Sequence, residues 1–151
     1  MTIDEIEILL VEDNMDDAEM TIRALKKVQL ANKLVHLKDG DEALDFLFAK
    51  GTFENRETTN KPKMIFLDIK MPRTDGIEVL RKIKSNEATR NIPVVIMTSS
   101  VGERDRIESY NLDINSYVVK PIHFENFAKV VRELDFYWLL INKPPESFST
   151  V

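Results

Sequence analysis

The chain has 151 residues, of which 43% are hydrophobic and 31% are charged, a balance typical of one folded domain. A formal charge of −5 argues against non-specific nucleic-acid binding, which needs a basic surface, and the lack of cysteine excludes disulfides and thiolate metal sites. No apolar run approaches the roughly 20 residues of a membrane span, and the N-terminus lacks the basic segment of a signal peptide, so we expect a cytoplasmic protein.

Apolar residues alternate between the spacing of strands and the spacing of helices along the chain. The predicted strands are residues 6–11, 33–37, 64–68, 93–97 and 116–119. A predicted helix follows each strand. The first carries its apolar stripe from Met15 to Val28, the second ends near Gly51, and the third begins after Asp75. A short fourth helix is expected after the fourth strand, and a fifth from about residue 124 to about 140.

Alternating strands and helices predict an α/β fold with a parallel sheet covered by helices on both faces. Right-handed crossovers favour a flavodoxin-like, doubly wound (βα)5 arrangement with strand order 2-1-3-4-5. Ligands of such sheets bind at the carboxyl ends of the strands, beside the point where the strand order reverses. Here that point lies between the first and third strands.

Three carboxylates come together at this predicted edge of the sheet. Glu12 and Asp13 follow the first strand, and Asp68 closes the third. Such a group resists full ionisation unless a cation joins it, and hard oxygen ligands suit Mg²⁺. A carboxylate beside Mg²⁺ can serve as the nucleophile that takes a phosphoryl group, so Asp68 is the candidate nucleophile.

Two further polar residues end the remaining strands at the same edge. Thr98 follows the fourth strand and can donate a hydrogen bond to a phosphoryl oxygen. Lys120 follows the fifth strand and can pair with Asp68 and then with the phosphoryl group. We expect this lysine to lie at an exposed edge and to bury little surface.

Four short motifs, taken in order and spacing, resemble the receiver domain of two-component response regulators. They are the acidic pair Glu12-Asp13, the aspartate in LDIKMPRTDG, the hydroxyl in VVIMTSS and the lysine in YVVKP. The resemblance covers roughly residues 6–135 and implies a phosphoacceptor that signals after phosphorylation, rather than an enzyme acting on another substrate.

The resemblance also implies roles for individual residues at the metal site. Asp68 is the phosphoacceptor and a Mg²⁺ ligand, and Asp13 is a direct ligand. The backbone carbonyl of Lys70 is a third protein ligand, and Glu12 acts through a metal-bound water.

Further roles concern the phosphoryl group and its signal. Lys120 and Thr98 contact the phosphoryl group, and Thr98 and Tyr117 form a switch pair in which the aromatic ring follows the hydroxyl inward. The family implies a cis bond between Lys120 and Pro121. It also implies a sensor histidine kinase as the partner, and the long loop before the third strand resembles single-domain regulators paired with bacterial phytochromes.

The end of the fifth predicted helix is apolar on every side, so one domain core would leave part of it uncovered. This predicts a homodimer through the face formed by the fourth helix, the fifth strand and the fifth helix. We place the receiver domain at residues 6–141 and a short tail at 142–151. The predicted interface residues are Phe136, Tyr137, Trp138 and Leu140. The alternative is a monomer whose tail covers this segment.

Each motif alone has a simpler interpretation, since acidic residues often cap helices and a strand-end lysine is often only solvated. An interaction module that keeps the fold without using phosphate remains open. An aspartate-based phosphatase would need a second aspartate two positions after Asp68, where Lys70 stands. We assign no chemistry to His36 or His123.

Overall fold

The computed structural model describes residues 8–27, 33–56, 61–71, 73–99, 107, 116–120, 125 and 128–129. The strands are β1 (Ile8–Val11), β2 (Leu34–Leu37), β3 (Met64–Asp68), β4 (Val94–Thr98) and β5 (Ser116–Val119). The helices with described bounds are α1 (Met15–Lys27), α2 (Gly40–Phe48) and α3 (Gly76–Ser85), with a short 3₁₀ helix at Gly51–Phe53.

The five strands form one parallel sheet in the order β2-β1-β3-β4-β5. This confirms the predicted fold class and strand order. In the register of the central strands, Leu9 faces Ile65 and Asp68 faces Met97. The carboxyl ends of β1 and β3 therefore lie side by side, as the strand order 2-1-3-4-5 requires.

Both faces of the sheet are covered, which explains why the central strands are nearly continuous apolar runs. Every residue of β1, β3 and β4 is buried. One core cluster joins alternate strand residues such as Leu9 and Ile65 to α2 and α3. The other joins Leu10 and Phe66 to α1.

Polar side chains start the helices at the edge of the sheet where the strands end. The side chains of Asp39 and Asp75 accept hydrogen bonds from the amides of Glu42 and Glu78. Asn14 does the same for the amide of Asp17 at 2.9 Å, so it caps α1. These caps satisfy amides that have no partner inside the helix.

The end of α2 differs from the sequence-based expectation. Ala49, not Gly51, adopts the left-handed conformation at the helix terminus, with φ 53°. Lys50 then donates its amide to the carbonyl of Asp45 at 2.8 Å. Gly51 also has a positive φ of 56°, but it begins the following 3₁₀ helix instead of ending α2.

Two predicted helices are described only in part. Ile107 has a helical backbone within the predicted fourth helix, as do Glu125, Ala128 and Lys129 within the fifth. The predicted interface residues at 136–140, the bond to Pro121 and the tail at 142–151 lie outside the described residues. Among the described helices, none is long and apolar enough to span a membrane.

Gly76 allows α3 to pack directly against the end of β3. A Cβ atom at this position would lie 2.4 Å from the carbonyl oxygen of Asp68 and 2.6 Å from Cα of Ile69. The amide of Gly76 also donates to the carbonyl of Ile69 at 2.9 Å. Because backbone atoms cannot move aside cheaply, only glycine fits here, and the end of β3 is held against the first turn of α3.

We therefore expect Gly76→Ala to destabilise the protein by about 1–3 kcal/mol, the usual cost of forcing extra atoms into a packed site. Urea denaturation measures the change in the free energy of unfolding. Ser85→Ala, at the exposed end of the same helix, is the matched control and should change stability by less than about 0.5 kcal/mol. Equal effects of the two substitutions would contradict the close contact at Gly76.

Candidate functional site

The acidic pair after β1 divides into one buried and one exposed carboxylate. Glu12 is completely buried, whereas Asp13 is exposed. The amide of Glu12 donates to the carbonyl of Leu37 at 3.0 Å, and Oε2 of Glu12 accepts from the amide of Asn14 at 3.2 Å. Glu12 is thus held in place by the backbone on both sides, while Asp13 faces solvent.

Asp68 stands at the end of β3 and is only 3% exposed. Its Oδ1 accepts a hydrogen bond from the amide of Lys70 at 3.2 Å. Glu12, Asp13 and Asp68 each offer a carboxylate oxygen within 4.8 Å of the others. The predicted cluster of three carboxylates is therefore present.

Lys120 lies among these carboxylates. Its Nζ is 2.8 Å from Oε1 of Glu12, 3.0 Å from Oδ2 of Asp17 and 3.3 Å from Oδ2 of Asp68. The lysine side chain is only 14% exposed, which corrects the expectation that it would bury little surface. The long lysine side chain reaches across β4 because the buried negative charge attracts it.

The burial of these charges shifts their protonation equilibria. Burial, and then the nearby Glu12 carboxylate, raises the pKa of Asp68 to about 8, although Lys120 acts in the opposite direction. Burial alone would lower the pKa of Lys120, but Glu12, Asp68 and Asp17 together raise it above its usual value. The lysine therefore stays charged, and one lysine does not neutralise all the carboxylates.

The donor set fits a hard divalent cation. Carboxylate and carbonyl oxygens are the ligands that Mg²⁺ and Mn²⁺ prefer, and the cluster offers carboxylates from two neighbouring strand ends. Oε1 of Glu12 is buried and lies 2.8 Å from Nζ of Lys120, a charge-assisted contact that uses one of the lone pairs of this oxygen and leaves another. It is therefore able to accept a hydrogen bond from a metal-bound water.

Thr98 and Tyr117 lie on the same face of the sheet. Thr98 is completely buried at the end of β4 and comes two residues after Ile96, whose partner across the sheet is Tyr117. The half-buried Tyr117 packs against the core cluster that includes α2 and α3. The amide of Lys120 donates to the carbonyl of Thr98 at 2.7 Å, which joins the ends of β4 and β5.

Two residues near the site were missed by the sequence analysis. Asp17 contacts Lys120 from the first turn of α1, and the available signal was an acidic residue in the first turn of the helix that follows Glu12-Asp13. Nε2 of His36 lies 2.8 Å from the backbone oxygen of Glu12, although His36 was assigned no role. No sequence motif marks this contact, because it depends on the pairing of β1 with β2.

The chain is similar to known proteins over most of its length. Residues 8–132 match the response regulator receiver domain. Response regulator Rcp1 of Synechocystis is 39% identical over 132 residues, which cover 87% of this chain and 88% of the relative. The probable methanogenesis regulatory protein FilR2 of Methanothrix harundinacea is 38% identical over 138 residues, covering 91% and 86%.

Solved structures agree with this similarity. The bacteriophytochrome response regulator RtBRR has a TM-score of 0.82 and 42% identity, covering 96% of this chain and 87% of that chain. The Mn²⁺-bound form of Rcp1 has a TM-score of 0.71 and 38% identity, covering 91% and 97%. The phosphorylated cyanobacterial phytochrome response regulator RcpA has a TM-score of 0.73 and 33% identity, covering 93% and 99%.

The match to the receiver model, the identities above 30% and the shared five-stranded fold agree on one assignment. This chain belongs to the response regulator receiver domain family of two-component systems.

Proposed function

We propose that this protein is a response regulator that accepts a phosphoryl group on Asp68 in a Mg²⁺-dependent reaction, the donor being a sensor histidine kinase. The observation that carries the proposal is the meeting of Glu12, Asp13, Asp68 and Lys120 at one edge of the sheet. The signal then passes on through protein contacts or by relay of the phosphoryl group. In this proposal the protein has no enzymatic role beyond its own phosphorylation and dephosphorylation.

Asp13, Asp68 and the backbone carbonyl of Lys70 would hold the metal ion, and Glu12 would act through water. The exposure of Asp13 and the ion pair between Glu12 and Lys120 support this division of roles. A bound divalent cation supplies the positive charge that lets the carboxylates and phosphoryl oxygens come together. The Mn²⁺-bound structure of Rcp1 supports a divalent site, because Mn²⁺ and Mg²⁺ take similar oxygen ligands.

Asp68 provides the nucleophile. One of its carboxylate oxygens forms a bond to phosphorus while the phosphorus–nitrogen bond of a phosphohistidine breaks, and the imidazole takes up a proton. Lys120, already 3.3 Å from Oδ2 of Asp68, would contact the transferred phosphoryl oxygens. The phosphorylated structure of RcpA, which is 33% identical, supports this chemistry.

Thr98 and Tyr117 would carry the signal away from the site. The hydroxyl of Thr98 would move toward the phosphoryl group, and the ring of Tyr117 would follow it inward. Their position on one face of the sheet supports a coupled movement, and the half-buried ring of Tyr117 leaves exposed surface that an inward movement would bury.

The kinase partner is proposed to be of the phytochrome type. The support is the 42% identity to RtBRR and the similarity to RcpA, both named as phytochrome response regulators. A cytoplasmic location and a receiver domain spanning residues 6–141, with a tail at 142–151, complete the proposal.

Two other functions are less well supported. An interaction module that does not use phosphate would have no need to bury Asp68 and Lys120 together at a cost in desolvation. A phosphatase would need a second aspartate at position 70, but Lys70 is exposed there.

Acetyl phosphate with Mg²⁺ tests the phosphoacceptor. Intact mass measurement should show one added phosphoryl group on the wild type and none on Asp68→Asn, which keeps the shape but removes the nucleophile. Asp16→Asn removes an exposed carboxylate from α1 and should be labelled like the wild type. Labelling of Asp68→Asn, or of the wild type in excess EDTA, would contradict the proposal.

The metal ligands are tested by calorimetric titration with Mg²⁺. Asp13→Asn should weaken binding by about tenfold or more, since the loss of a direct ligand costs more than about 1.4 kcal/mol, and Glu12→Gln should weaken it less. Circular dichroism confirms that each variant is folded, and Asp16→Asn again serves as the control. Equal losses, or a larger loss in Glu12→Gln, would reverse the assigned roles.

The homodimer stays a proposal drawn from the sequence, because its interface residues lie outside the described part of the chain. Sedimentation over a concentration series should show a dimer, and Phe136→Ala or Tyr137→Ala should weaken it, since aromatic residues dominate interfaces. Labelling of Asp68 should be unchanged in both variants. A monomer at every concentration, with and without phosphorylation, would refute the dimer.

A further inference from the structure

Asp17 is a fourth carboxylate at the site, and the proposed chemistry gives it no role. It lies in the first turn of α1, and its Oδ2 is 3.0 Å from Nζ of Lys120. Its side chain is 26% exposed, so it is partly shielded from water. An acidic residue in the first turn also suits the helix dipole, but that explanation does not require contact with the lysine that follows β5.

The capping of α1 leaves the side chain of Asp17 available for Lys120. An acidic side chain at this helix position often reaches back to the amide of the capping residue. Here Oε2 of Glu12 accepts a hydrogen bond from that amide, which belongs to Asn14. The amide of Asp17 is in turn bound by Oδ1 of Asn14, which fixes the start of the helix without the Asp17 carboxylate.

The ammonium group of Lys120 is shared unequally among three carboxylates. Glu12 and Asp17 are at 2.8 and 3.0 Å, whereas Asp68 is at 3.3 Å. An ammonium group has three N–H donors and one positive charge, so the position of Nζ is a compromise among the three carboxylates that attract it. Asp17 therefore draws the lysine away from the residue that the proposed reaction modifies.

We propose that Asp17 is a positioning residue that restrains Lys120 and thereby slows the phosphorylation of Asp68. The inference rests on the proposed function. When acetyl phosphate is the donor, an oxygen of Asp68 bonds to phosphorus and acetate leaves with the electron pair of the broken bond. Lys120 stabilises the negative oxygens in this transfer, and the charge of Asp17 opposes the movement of the lysine toward them.

The effect should be moderate because Asp17 is partly exposed and water screens its charge. A charge pair of this kind corresponds to a change in rate of up to about fivefold. Asp17→Asn keeps the shape of the side chain and removes its charge. The matched control is Asp16→Asn, which makes the same change in net charge one residue earlier, at an exposed position.

The test follows the rate of Asp68 labelling by intact mass, with acetyl phosphate and saturating Mg²⁺. We expect Asp17→Asn to react about three- to fivefold faster than the wild type, and Asp16→Asn to stay within about twofold of it. Saturating Mg²⁺ removes any effect of Asp17 on metal affinity. A rate for Asp17→Asn that is slower than the wild type, or equal to that of Asp16→Asn, overturns the inference.

A second comparison asks whether Asp17 acts through Lys120. In a Lys120→Met background, Asp17→Asn should give no acceleration, and it should change the melting temperature less than it does in the wild type. Asp17 does not position Lys120 if the acceleration persists without the lysine. The same conclusion follows if the changes in melting temperature caused by the two substitutions are additive. If Asp68 of the wild type is never labelled, the proposed function itself fails. If the wild type is labelled but Asp17→Asn reacts no faster than Asp16→Asn, only the inference about Asp17 fails.

Discussion

The attraction between the ammonium group of Lys120 and the buried carboxylates holds the functional end of this protein together. Glu12 is completely buried and Asp68 almost so, and without a nearby positive charge the two would repel each other at a high cost in free energy. The lysine offsets only part of that cost, and the pKa of Asp68 is raised to about 8. The remaining negative charge is what prepares the site for a divalent cation.

The sheet makes this arrangement possible. Since β1 and β3 are neighbours, Glu12 and Asp68 end adjacent strands, whereas β4 separates β3 from β5. Only a long side chain such as lysine spans that intervening strand, and the bond from the amide of Lys120 to the carbonyl of Thr98 fixes its starting point. The close contact of Gly76 with the end of β3 keeps the other side of the site in place.

Stability and function oppose each other at this edge of the sheet. The two core clusters bury apolar residues on both faces of the sheet and stabilise the fold. The desolvation of the charged groups at the edge of the sheet opposes part of this stabilisation. Replacing the charges with apolar residues would be a simpler way to stabilise the fold. The four carboxylates and the lysine at the carboxyl ends of the strands are therefore not explained by stability alone, and they suit the chemistry of the receiver family.

The sequence by itself determined the five strands, their order and the meeting of Glu12, Asp13 and Asp68, because continuous apolar runs and right-handed crossovers depend on local pattern. It also identified the family from short motifs. Only the tertiary structure decided that Lys120 is buried, that Asp17 contacts it and that His36 contacts the backbone of Glu12. These features depend on side-chain reach between segments far apart in the chain, and no local pattern encodes how the first turn of α1 packs against the end of β5.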